Sequence, residues 1–149
     1  MSRPSWDDFF LGQLAGLAVR STCDRGRAAA IFVRDNEQLA AGYVGSPSGF
    51  PHCDDVGHLW DGSNRHCVRT IHAEQNAVIR AVRSGTCLRD TTVYATMEPC
   101  FTCAKLLIGV GVFRFVAAYP YHAAQNARAA FEKAGVALVV RSKEPLYVP

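Results

Sequence analysis

Long apolar runs are missing from this chain. No uninterrupted stretch approaches the roughly 20 residues that carry a helix across a bilayer, so no membrane span or membrane partner is predicted. The opening Met1-Ser2-Arg3-Pro4-Ser5-Trp6-Asp7-Asp8 is polar and acidic, without the basic start and apolar centre of a secretory signal. Blocks of like charge are missing as well. The net charge of +3 comes from scattered arginines, a poor footprint for a nucleic-acid groove, so no nucleic-acid partner is expected. Internal repeats and low-complexity linkers are also lacking. With no secretory signal, the six cysteines read as reduced, metal-binding or buried thiols, and the cytoplasm is the expected compartment. What remains is a chain of 149 residues, 49% hydrophobic. That is enough for one compact domain, 1–149, to bury a core without disulfides.

The apolar pattern alternates between helical and strand periods. Ser5 and Asp8 resemble an N-terminal capping pair, after which Trp6, Phe9, Phe10, Leu14 and Leu17 share a helical face. That stripe reads as core or subunit interface. Ala28 to Val33 and Leu39 to Val44 flank the polar Asp35-Asn36-Glu37 and predict a hairpin. The segment Ser46 to Asn64 is rich in Gly, Pro, Asp and Ser, too long for an idle loop unless something ties it down. Helices are expected over Ile71 to Val82, with His72 and Glu74 in its first turn, over Cys100 to Val110 and over Ala123 to Ala134. Strands are expected over Thr91 to Thr96, Phe113 to Ala118 and Val136 to Val140. Such alternation predicts an α/β sheet covered on both faces by helices.

Two short motifs carry the chemistry. His72-Ala73-Glu74 and Pro99-Cys100-Phe101-Thr102-Cys103 supply one nitrogen and two sulfur ligands, a set that suits Zn²⁺ and leaves a fourth position open. Glu74 need not bind metal, and a closed structural site has no use for a free acid beside it. H-x-E followed by P-C-x-x-C is the arrangement by which zinc deaminases activate water and shuttle protons at an amino-bearing ring carbon. The starts of the two helices are expected to meet around the metal and favour its thiolate ligands.

The sequence resembles the deoxycytidylate deaminases of the zinc-dependent cytidine deaminase superfamily. The resemblance runs through Ser5-Trp6-Asp7, Arg20-Ser21-Thr22-Cys23, Gly42-Tyr43, Gly45-Ser46-Pro47-Ser48-Gly49, His52-Cys53-Asp54, the run from Cys67 to Ala77, and Glu98-Pro99-Cys100 with Cys103-Ala104-Lys105. It implies a three-layer α/β/α sandwich with a five-stranded mixed sheet, a homo-oligomer that is often a hexamer, and hydrolysis of dCMP to dUMP with release of ammonia. Carried over by residue, His72, Cys100 and Cys103 would hold the catalytic zinc and Glu74 would move protons. Main-chain groups around Ala73 and Cys100 would hold a pyrimidine nucleotide's ring, since helix starts have unused donors. Arg25, Arg27, Arg65 and Arg69 are candidate phosphate readers. Tyr121 and His122 either line the pocket, by stacking and hydrogen bonding, or are ordinary packing.

Three departures fall near the sugar and phosphate. Val44 stands where the family usually has an asparagine that contacts the sugar. Ala28-Ala29-Ala30 replaces a Val-Gly-Ala strand start, and Tyr119-Pro120-Tyr121-His122 stands where tyrosine is usually followed by aspartate. Another cytosine nucleotide, a nucleoside or a modified pyrimidine therefore stays open as substrate. A catalytically inactive zinc-binding regulatory module is the alternative of a different class, and the intact Glu74 speaks against it. Deamination of a base within RNA or DNA is a third reading, disfavoured by the thin basic surface. The remaining cysteines suggest a second, structural zinc, as in some family members. Cys23, Cys53 and Cys67 would supply three ligands, with His58 as the fourth and His66 as the alternative. The plain alternative is three buried free thiols, and Cys87 is expected to be a buried small hydrophobe.

Overall fold

The structure is a computed structural model and describes residues 2–62 and 66–146. In chain order the elements are α1 (Trp6–Ala18), β1 (Ala29–Arg34), β2 (Glu37–Tyr43), α2 (Cys53–Val56), α3 (Ala73–Arg83), β3 (Thr92–Met97), α4 (Phe101–Gly109), β4 (Arg114–Tyr119), α5 (Gln125–Ala134) and β5 (Ala137–Val140). Asp35 and Asn36, at φ 52° and 61°, form a two-residue turn whose twist matches the strands it joins, so β1 and β2 close into the expected hairpin. The five strands lie in the order β2-β1-β3-β4-β5. β1 is antiparallel to both neighbours, whereas β3, β4 and β5 run parallel.

Alternation along the strands sends side chains to two cores. Ala30, Phe32, Val93 and Phe115 pack under α3, α4 and α5 through Ala77, Leu107 and Phe131. Ile31, Val33, Tyr94 and Val116 pack under α1 through Phe10 and Leu14. The expected three-layer sandwich is present, with α1, among the described residues, the one helix on its face. Because β1 is antiparallel to β2 and β3, the end of β2, the start of β1 and the ends of β3 and β4 all meet at one end of the sheet. That end carries both motifs.

The α1 stripe, expected as one face in the core or a subunit interface, divides, and the expected burial of Cys87 is not found. Trp6 and Phe9 are 53% and 45% exposed. Successive residues advance by roughly 100° around a helix, so a face centred on Phe10 and Leu14 turns Phe9 outward, and Trp6 caps the end by stacking on Phe10 at 5.9 Å. Cys87 is exposed and its neighbour Leu88 enters the core instead. Among the described residues no helix is long and apolar enough to cross a membrane.

The start of α1 is capped by Ser5 Oγ, which accepts the Asp8 N–H at 3.1 Å. Asp7 then locks the helix to the sheet. Its carboxylate accepts two hydrogen bonds from Arg114, at 2.8 and 2.7 Å, and one from the Tyr94 hydroxyl at 2.8 Å. Led by the Arg114 hydrogen bond, these partners bring its pKa from 3.8 down to about 2. A carboxylate depressed in this way adds stability above its unfolded pKa and loses it as the pH falls through the folded value. Asp7→Ala is expected to lower the unfolding free energy by about 1.5–3 kcal/mol at neutral pH, the range for hydrogen bonds to charged groups. In denaturant titrations the gap to the unchanged protein should close as the pH falls from 3.8 towards about 2. A gap independent of pH would assign the effect to packing.

Candidate active site

The position of α3 is set by an absent side chain. A β-carbon on Gly42 of β2 would lie 2.3 Å from the carbonyl oxygen of Ala73 and 2.4 Å from the amide nitrogen of Ala77. Only glycine lets the helix approach the strand this closely. Asn76 reinforces the contact by donating from its side-chain amide to the Tyr43 carbonyl at 2.9 Å. Gly45 and Ile71 exchange backbone hydrogen bonds of 3.2 and 3.0 Å, which fixes the residue before His72. His72 is the N-cap of α3 rather than part of its first turn. Its own N–H donates to the Gln75 side chain at 3.1 Å.

Cys100 is likewise the N-cap of α4, and Cys103 lies within the first turn. His72 Nδ1 is 3.5 Å from Cys100 Sγ and 3.4 Å from Cys103 Sγ. All three ligand atoms lie within 4.8 Å of one another. One imidazole nitrogen and two thiols fit zinc as a donor set, and three protein ligands leave room for a water or substrate atom. The hydrogen bond from the Cys103 side chain, then that from His72 and the Cys103 backbone N–H, hold Cys100 well below the ordinary thiol range. The start of α4 thus favours a thiolate at Cys100, while the hydrogen bond to Cys100 and burial push the Cys103 thiol up. The hydrogen bond to Cys100 raises His72. Glu74 is buried, and the loss of solvent pushes its carboxyl above the ordinary range.

A cavity opens over this group. His72, Ala73, Glu74 and Cys100 line one part of it, and Arg25, Val44 and Tyr121 also line it. The structure therefore gathers Arg25, Val44, Ala73 and Tyr121 around one cavity, without Arg27 or Arg69. Val44 presents its side chain there while its N–H donates to the Ala28 carbonyl at 3.1 Å. The arginines divide. Arg27 donates to the Ser21 carbonyl and pairs with Asp54, and Arg69 donates to the Gly57 carbonyl, so these two hold loops together. Arg25 reaches over the Trp60 ring at 5.7 Å, and Arg65 lies outside the described residues. Sequence reasoning assigned no role to Glu98, a buried carboxylate that also lines the cavity. Its place two residues before Cys100 was the available signal.

Residues 4–119 match the family described as the cytidine and deoxycytidylate deaminase zinc-binding region. The chain belongs to this deaminase family. ComE operon protein 2 of Bacillus subtilis (strain 168) is 40% identical over 136 residues, which span 91% of this chain and 71% of that protein. The deoxycytidylate deaminase of Mycobacterium phage D29 is 37% identical over 131 residues, covering 80% of this chain and 98% of the phage protein. Among solved structures, the dCMP deaminase of cyanophage S-TIM5 in complex with dCMP and dUMP superposes with a TM-score of 0.78. It is 23% identical and covers 94% of this chain and 99% of that one, and so supports the fold.

Beside the deaminase site lies a second cluster. The ligand atoms of Cys23, Cys53, His58 and Cys67 all fall within 4.8 Å of one another. Cys53 starts the short α2, which follows the Gly- and Pro-rich stretch and hangs from the Thr22 carbonyl by the Asp54 N–H at 3.1 Å. His58 Nδ1 faces Cys23 Sγ at 3.6 Å, and its Nε2 lies 3.0 Å from the Asp24 carboxylate. That is the outer partner a metal-binding histidine commonly keeps. His66, the alternative ligand, is not in the cluster. Its ring packs against His72 with centroids 5.6 Å apart. Burial raises Cys53 to about 12. Burial also raises Cys67, but N–H groups of Arg69 and Leu59 outweigh it and bring this thiol down to about 6. Cys23 and Cys67 line the cavity too, so the cluster forms part of the wall of the deaminase site.

Proposed function

We propose that this protein hydrolytically deaminates a cytosine nucleotide, dCMP in the first place, giving dUMP and ammonia. The observation that carries this reading is a buried carboxyl, Glu74, beside a His72/Cys100/Cys103 set, with both facing one cavity. His72, Cys100 and Cys103 would hold zinc, which when bound supplies Lewis acidity toward water. Burial lets the Glu74 carboxyl keep a proton to higher pH than an exposed glutamate, as a group that both accepts and returns protons requires. It takes a proton from the attacking water and delivers it to the ring nitrogen. Once the C–O bond has formed at C4, Glu74 takes the remaining proton of the new hydroxyl and passes it to the amine, so that the C–N bond breaks, C4=O forms and ammonia leaves. Main-chain groups at Ala73 would hold the base, Tyr121 would pack on it, and Arg25 would face the phosphate.

Val44 favours a second reading of the same class, another cytosine nucleotide, a nucleoside or a modified pyrimidine. An isopropyl group cannot pair with a sugar hydroxyl, and a missing hydrogen bond is worth roughly 0.5–1.5 kcal/mol. Discrimination at the sugar is therefore expected to be weaker than at the base. The test compares kcat/KM by ammonia release for dCMP, CMP, deoxycytidine and cytidine, in the unchanged protein and in Val44→Asn. Selective improvement for dCMP in Val44→Asn is the expected result. Strong native preference for dCMP that Val44→Asn impairs would contradict it, and absence of release from all four would overturn cytosine deamination.

The second cluster is read as a structural zinc site, closed by Cys23, Cys53, His58 and Cys67. Elemental analysis should then give two zinc ions per chain, one for each ligand group. Cys53→Ser should lose one of them and loosen the 46–62 segment. One zinc in the unchanged protein would contradict this. Exposed Trp6, Phe9 and Phe113 support a homo-oligomer, which light scattering of a monomer would remove. Free thiols support a cytoplasmic setting, which recovery of cell-derived protein with paired cysteines would contradict.

A further inference from the structure

Glu98 makes no contribution to the mechanism above, yet its side chain is 0% exposed while its partner Arg128 is 48% exposed. A buried carboxylate is costly unless fully paired, and this one is held on two sides. Arg128 Nε donates to Oε2 at 2.7 Å and Arg128 Nη2 donates to Oε1. The main-chain N–H of Tyr121 donates to Oε1 at 3.1 Å. The Glu98 N–H in turn donates to the Tyr119 carbonyl at 3.0 Å. All these partners belong to the β4–α5 segment, whereas Glu98 precedes Pro99 and Cys100 in the chain.

The turn from 120 to 124 has bonds of its own, such as the Ala124 N–H to the Tyr121 carbonyl at 3.2 Å, but these run within the turn. Glu98 ties it to the strand end that leads into the metal-binding motif. Tyr121, the residue whose N–H is held, places its half-buried ring on the cavity. A bidentate guanidinium–carboxylate pair fixes orientation as well as distance.

We infer that Glu98 and Arg128 form a latch that positions Tyr121 against the cavity, and so set nucleotide affinity without touching the reacting atoms. Both are positioning residues. The inference rests on the deaminase reading for its kinetic readout, and amide exchange at Tyr121 reads the latch without any turnover.

The test uses the zinc-loaded protein with dCMP. Arg128→Lys keeps the charge but loses the fork, so KM should rise roughly tenfold, the scale of losing one charge-assisted hydrogen bond. kcat should change far less and zinc content should hold. The Tyr121 amide should exchange faster in the same variant. In a Tyr121→Ala background, Arg128→Lys should add little further increase in KM, because both changes remove one device. Should Arg128→Lys not fold, the pair Glu98→Gln with Arg128→Met removes the buried charge and undergoes the same measurements. Unchanged KM in a folded variant, effects that add fully with Tyr121→Ala, or a fall in kcat accompanied by zinc loss would each overturn the latch. Turnover by the unchanged protein reports on the functional reading, and the differences between variants report on the latch, so the two fail separately.

Discussion

The close approach of α3 to β2 at Gly42 is the contact on which the site depends. With the Ala73 carbonyl and the Ala77 amide nitrogen at 2.3 and 2.4 Å from where a β-carbon would be, no other residue type allows the helix to seat. The same helix start carries His72 and Glu74, and the strand it presses on continues into Val44 and Gly45. His72, Glu74 and one wall of the cavity are thus placed by a single contact between helix and strand.

The chemistry then follows from where helices begin. His72 and Cys100 are both N-caps, so unused backbone N–H groups and the positive helix ends converge on the group that must become negative. The Cys103 N–H reaching Cys100 Sγ at 3.4 Å is the local form of that effect. Glu74, buried beside them, experiences the opposite influence, since loss of solvent favours its protonated form. Cys100 at the start of α4 and Glu74 at the start of α3 are therefore shifted in opposite directions. The second cluster extends the arrangement, because Cys23 and Cys67 belong to both that cluster and the cavity wall.

Much of this was legible in the sequence, for reasons that are local. Ser5 and Asp8 gave the first cap, Asp35 and Asn36 the hairpin turn, and period alternation gave the order of strands and helices. The grouping of His72, Cys100 and Cys103 was legible because donors at short fixed spacing on element ends are brought together by those ends. The misses were of another kind. Trp6 and Phe9 look as if they share one face with Phe10 and Leu14 until the direction of Phe10 is known. Cys87 looks buried until Leu88 takes the inward position. Spacing alone left His58 and His66 both open beside Cys23, Cys53 and Cys67, and the path of the loop brings His58 to the three thiols. Glu98 finds Arg128 thirty residues away through a turn whose geometry no local pattern encodes.

The central claim is that Glu74 carries protons and does not hold metal. The most direct measurement is turnover of dCMP and zinc content in Glu74→Gln, made on the same preparation. The account predicts full zinc occupancy with a loss of at least about 10²-fold in kcat, the scale of general acid–base catalysis. Near-normal turnover in zinc-loaded Glu74→Gln, or loss of zinc in step with activity, would contradict it.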